Sequence, residues 1–98
     1  MHPRKLVVIV AESALEKVLT RELLALGAHG YTVSDVRGRG AHGEREAAWT
    51  EDRNVRIEVV CEEEVAQRIA LHVKERYAEH YALVVYVLDV GVLRGEKF

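Results

Sequence analysis

The stretch YTVSDVRGRGAHGEREAAWTEDRNVRIEVV, residues 31–60, alternates like a β-strand at both ends and loses that alternation in between. Tyr31, Val33 and Asp35 alternate with Thr32, Ser34 and Val36, and later Val55, Ile57 and Val59 alternate with Arg56 and Glu58. A period of two marks strands whose two faces meet different surroundings. The second of these strands therefore has one face for a core and one for water or a partner. Between them, residues 37–53 hold glycines, arginines and acids, with Trp49 as the one large apolar side chain. That span exceeds most connections in compact domains, where long loops are either functional or disordered.

On the N-terminal side, KLVVIVAE (5–12) is a continuous β-branched run, the pattern of a strand buried on both faces and hence placed inside a sheet. Ser13 and Glu16 have the spacing of a capping box, which predicts a helix start. Leu15, Val18, Leu19, Leu23 and Leu26 then form a single apolar stripe, and Gly27 is placed to end the helix. On the C-terminal side, Glu62, Glu63 and Glu64 stand where a helix dipole favours negative charge, followed by a stripe of Val65, Ile69, His72, Val73 and Tyr77. ALVVYVLDVGVL (82–93) reads as a last strand. The order β-α-β, long loop, β-α-β predicts an α+β, ferredoxin-like βαββαβ sandwich: a four-stranded antiparallel sheet with two helices on one face. The other face would then be an apolar patch that calls for self-association.

The 98 residues, 49% of them hydrophobic, suffice for a single domain spanning 1–98. A net charge of −2 on a chain with 31% charged residues of both signs gives no global basic field, so nucleic acid is not expected as a partner and any anion site must be local. Cys61, the single cysteine, allows no internal disulfide and fits a reducing compartment, so the cytoplasm is expected. The apolar run at residues 6–10 is too short for a signal-peptide core or a membrane span.

In the loop, Gly38, Gly40 and Gly43 permit close backbone approach, and Arg37, Arg39 and Arg45 offer guanidinium forks that match phosphate or carboxylate oxygens. RGRG (37–40) is thus an anion-cradle candidate, while a short Gly/Arg run also serves as a solvated turn. It is neither the dinucleotide fingerprint nor a P-loop.

Residues 5–40, NVRIEVV (54–60), residues 65–98 and the intervening long loop together resemble the PII signal-transduction superfamily, most closely its SbtB-type and carboxysome-associated PII-like regulators. The most telling pieces are GAHGYTV running into RGRG, and YALVVYVLDVGVLRG near the end of the chain. The resemblance implies a non-enzymatic homotrimer that binds adenine nucleotides in clefts between subunits. The loop, the T-loop of that superfamily between strands 2 and 3, would signal to a membrane transporter or carboxysome-associated partner in inorganic-carbon uptake. Thr32 would lie beside the adenine, Gly38 and Gly40 would meet the nucleotide through their backbone, and Arg39 and Arg45 would face its phosphate. Arg94 would reach the phosphates from the neighbouring subunit. Trp49 and His42 are the residues assigned to the partner, Trp49 being equally suited to pack back on its own subunit. ADP and AMP are the expected ligands, ATP and cyclic AMP further candidates, and bicarbonate a candidate second ligand for backbone N–H groups and arginine at the loop base.

Departures from the superfamily qualify these expectations. All four tyrosines, at 31, 77, 81 and 86, lie outside the loop, so the uridylylation switch is missing. The glycine- and lysine-rich loop that grips a triphosphate is replaced by YAEHYAL (77–83), and His42 stands where other members use glutamine for metal and 2-oxoglutarate. Weak retention of ATP relative to ADP or AMP follows. The chain as given ends at Phe98 without the cysteine-bearing tail of some SbtB-type proteins.

No pair among the five histidines has the spacing of a zinc site, and no cofactor is expected. Cys61 beside the three glutamates reads as an inert thiol at a strand end. The alternative function is a metal-responsive or structural trimer of the copper-tolerance type with no nucleotide site. An acylphosphatase-like enzyme on the same fold would need an arginine loop after the first strand and a catalytic asparagine. Here that loop is AES, and Asn54 is the only asparagine.

Overall fold

The computed structural model describes residues 1–38 and 53–98. Four strands, β1 (His2–Glu12), β2 (Thr32–Val36), β3 (Asn54–Cys61) and β4 (Val84–Val92), form one sheet in the order β2-β3-β1-β4, with every neighbouring pair antiparallel. Helices α1 (Glu16–Ala25) and α2 (Glu63–Arg76) connect β1 to β2 and β3 to β4. This is the ferredoxin-like βαββαβ arrangement, and β1 is central as its β-branched run requires. It begins earlier than the apolar run does, because His2, Pro3 and Arg4 pair with Val92, Gly91 and Val90.

Register decides which side chains meet the helices, since directly opposed residues share a face. Val7 stands opposite Val59 and Val87, Ile9 opposite Ile57 and Val85, and Ala11 opposite Val55. All of these except Val87, which is 44% exposed, pack with Leu19 and Leu23 of α1 and Ala66, Ile69 and Val73 of α2 in one core. The alternate set carries Leu6, Val8 and Val10 of β1, opposite Leu88, Tyr86 and Val84 of β4. Val84, Tyr86 and Leu88 are 46%, 43% and 44% exposed, so the open face carries an apolar stripe that the other described residues leave uncovered. Arg56 and Glu58 lie on that same face, opposite Val10 and Val8.

The end of α1 follows from Gly27, whose φ of 115° is a conformation that side chains disfavour. Gly27 N–H donates to Leu24 O at 3.2 Å and Ala28 N–H to Leu23 O at 3.0 Å, the paired bonds of a Schellman motif. The start of α1 differs from the expected capping box. Ser13 opens a 3-10 turn (Ser13–Leu15), Leu15 becomes the capping residue, and no side-chain cap bond forms there. The reason is tertiary: Ser13 N–H is taken by Arg53 O, 2.9 Å away, which returns from the long loop.

A side-chain polar bridge joins the helices. Glu22 Oε1 of α1 accepts from Tyr77 Oη at 2.7 Å and lies 2.8 Å from His72 Nε2. Desolvation pushes the Glu22 carboxyl upward, but the hydrogen bonds from Tyr77 and His72 outweigh it and hold the group below its ordinary range. Burial, together with the Glu22 bond, pushes the Tyr77 phenol up to about 12.

Candidate functional site

The loop leaves the sheet and returns at one place. Val36 and Asn54 are the last paired residues of β2 and β3, and the bond from Ser13 N–H to Arg53 O anchors the returning strand to the first turn after β1. Thr32 lies on edge strand β2 opposite Glu58, which puts it on the open apolar face, exposed. Arg37 and Gly38 follow β2 as exposed chain, and a Cβ built on Gly38 would meet nothing within 4 Å. Gly38 is therefore free of packing demands from the described residues of its own chain. Its small size leaves room for something outside it.

Arg94 stands elsewhere. It follows β4 at the opposite edge, and its side chain is 67% exposed, with Nε 3.4 Å from Glu96 Oε2. Three strand spacings separate β2 from β4, about 14 Å. Along the strands, Thr32 is level with Val8 while Val92 is level with His2, an offset of about 20 Å. An arginine side chain falls well short of that diagonal, so Arg94 does not reach the Thr32 and Gly38 corner of its own chain. Arg39, Gly40, His42, Arg45 and Trp49 lie outside the described residues.

Other tempting groups have structural partners. His72 belongs to the Glu22 bridge, and His29 Nδ1 lies 3.2 Å from Lys97 O. Cys61 is 3% exposed, and burial raises its thiol above the ordinary value, which suits an inert core residue. Among the described residues no group of three or more His, Cys, Asp or Glu side chains could hold a metal ion, and no helix is long and apolar enough to cross a membrane. A cleft of about 420 Å³ runs between α2 and β4, lined by Ala70, Val73, Lys74, Leu83, Val85 and Val87 among others. It is apolar and touches neither Thr32, Gly38 nor Arg94, so the groups suited to an anion line a different surface.

Sequence reasoning passed over Arg4. Its guanidinium donates to Phe98 O at 3.1 Å, Gly95 O at 2.8 Å and Pro3 O at 2.8 Å. Partners 91 and 94 positions away leave no local pattern to read.

Residues 4–97 match the family model for nitrogen regulatory protein P-II. Among solved structures, a PII-like signalling protein from Thermus thermophilus is 50% identical, with 99% of this chain and 96% of that chain covered and a TM-score of 0.85. CPII from Thiomonas intermedia, in a structure bound to ADP and bicarbonate, is 31% identical, with 99% and 95% covered and a TM-score of 0.83. The same protein bound to ADP, AMP and acetate is 30% identical, with a TM-score of 0.85 and coverage of 99% and 95%. A family match across nearly the whole chain, on a four-stranded antiparallel sheet with two helices on one face, makes this chain a member of the P-II family.

Proposed function

We propose that the chain forms one PII-like unit of a cytoplasmic, non-enzymatic homotrimeric sensor. It binds ADP or AMP, and bicarbonate as a second ligand, in clefts between subunits. Its long loop reports occupancy to a transporter or carboxysome-associated partner in inorganic-carbon uptake. The observation that carries this reading is the likeness to CPII, whose structure holds ADP and bicarbonate.

Geometry supports the shared cleft. Thr32 and the loop base lie at one edge of the sheet and Arg94 at the far corner of the other, so a neighbouring subunit is the natural source of the second half. The exposed stripe of Val84, Tyr86 and Leu88 supplies an apolar surface for that neighbour. Thr32 lies beside the adenine, the backbone of Gly38 and Gly40 meets the nucleotide, Arg39 and Arg45 face its phosphate, and Trp49 and His42 serve the partner. Signalling is differential binding: a ligand shifts the loop only by as much as it favours one arrangement over another, typically ~1–3 kcal/mol.

The test is light scattering for mass, followed by calorimetry with ADP, AMP, ATP and cyclic AMP, each with and without bicarbonate. A trimer that binds ADP or AMP is expected, with ATP weaker. A monomer that binds none of them overturns the reading, and binding of divalent copper instead would favour the copper-tolerance alternative.

A further inference from the structure

The C-terminal 3-10 turn Gly95–Lys97 is fastened across the end of the sheet rather than left to trail. Arg4, on β1, grips both ends of it, donating from Nη2 to Gly95 O at 2.8 Å and from Nε to Phe98 O at 3.1 Å. His29, in the turn after α1, approaches Lys97 O at 3.2 Å, and a donor is needed there because a carbonyl only accepts. Contact is tight. A Cβ on Gly95 would lie 2.8 Å from His2 Cγ and 3.1 Å from Arg4 Nη2. Lys97 N–H to Arg94 O at 3.1 Å and Phe98 N–H to Gly95 O at 3.3 Å are the turn's own bonds.

Arg94 is the residue from which this fastened turn departs. Among the described residues its exposed side chain meets only exposed Glu96, in a long contact that contributes little to its direction. The direction must come from the backbone, and the backbone is set by what holds Gly95.

We infer that Arg4 is a positioning residue for ligand binding: by clamping the C-terminal turn it fixes the point from which Arg94 reaches the phosphate in the neighbouring subunit's cleft. The inference rests on the nucleotide-sensor reading above and adds a residue to it. A planar guanidinium satisfies Gly95, Phe98 and Pro3 carbonyls at once, whereas an ammonium is a point charge without that fork, so lysine cannot substitute. Releasing the turn makes the ligand order Arg94 at binding, which weakens phosphate recognition without touching the nucleoside.

The experiment measures ADP and adenosine binding by calorimetry for the wild type, Arg4→Lys, Arg4→Ala, Arg94→Ala and the Arg4→Ala/Arg94→Ala double variant. Amide hydrogen exchange at residues 95–98 is followed in parallel. Roughly three- to tenfold weaker ADP binding is expected for both Arg4 variants, with adenosine unchanged. Exchange at the turn should speed up, and Arg4→Ala should add nothing once Arg94 is alanine. Gly95→Ala disturbs the same joint while keeping the Arg4 charge, so it should reproduce the effect even where Arg4 variants fold poorly. Equal loss for ADP and adenosine, additive losses in the double variant, or faster exchange with ADP affinity intact would each overturn the inference. These outcomes leave wild-type binding in place, whereas a wild type that ignores both ligands removes the sensor reading itself and the inference with it.

Discussion

Glu22 shows how much a single carboxylate can organise. It stands on α1, yet both hydrogen-bond partners belong to the α2 region, and all three are at least partly buried. A hydrogen bond to a charged group is worth about 1.5–3 kcal/mol, so Tyr77→Phe should lower stability by about that amount at neutral pH, as read by urea unfolding. The pH dependence has a definite sign. The folded-state pKa of Glu22 lies below the ordinary 4.5, so its stabilisation is present above that value and is lost as pH falls through the folded pKa. The stability gap between wild type and Glu22→Gln should therefore narrow on acidification below pH 4.5. A gap that is constant or widens there would mean the carboxylate is not the stabilising form. None of this was legible beforehand: the spacing placed His72 and Tyr77 on a helical stripe, but nothing local ties position 22 to positions 72 and 77.

Among the elements, α1 divides cleanly between local and remote control. Its stop is written in the chain: Gly27 after an apolar stripe is a helix terminator, and the Schellman bonds form at that glycine. Gly27→Ala would force a side chain into φ of 115° and bring its Cβ within 3.0 Å of Arg68 Nη2 and 3.3 Å of Val65 Cγ2. A loss of about 1–3 kcal/mol is expected by denaturant unfolding, from the backbone conformation alone. Unchanged stability would show that the turn relaxes to another form. The start of α1 went otherwise, because Arg53 O captured the Ser13 N–H that a capping box needs free. β2 and β3 were readable from their alternation and β1 and β4 from continuous β-branched or aromatic runs, whereas the extension of β1 to His2 was not, since His2, Pro3 and Arg4 are recruited by pairing with β4.

At the level of the assembly, the uncovered sheet face is the feature with the largest consequence. Its apolar residues follow from register, with Leu6, Val8 and Val10 opposite Leu88, Tyr86 and Val84. If three copies bury this face, a lysine at position 88 must lose its hydration there without a designed partner. Leu88→Lys should then shift the mass from trimer towards monomer while circular dichroism stays that of the wild type, since Leu88 is 44% exposed in the single chain and is not part of its core. Retention of the wild-type mass would place the subunit contact on another surface. On the proposed reading, in which Thr32 and Arg94 come from neighbouring chains, the same substitution should also weaken ADP binding, as calorimetry would read.

The chain's own periodicities were enough to settle the number and kind of the strands and α-helices, though not the two 3-10 turns, and with them the central place of β1, the apolar stripe of each helix and the glycine that stops α1, because each depends on neighbours within a few residues. The resemblance in GAHGYTV and RGRG gave the loop base as an expected half of a nucleotide site, an expectation that calorimetry on the loop-base variants would test. Folding in three dimensions alone put Arg94 beyond the reach of that half, tied Arg4 to the far end of the chain and bridged the helices through Glu22. Those relations depend on strand order and register, which bring together residues that no sequence spacing connects.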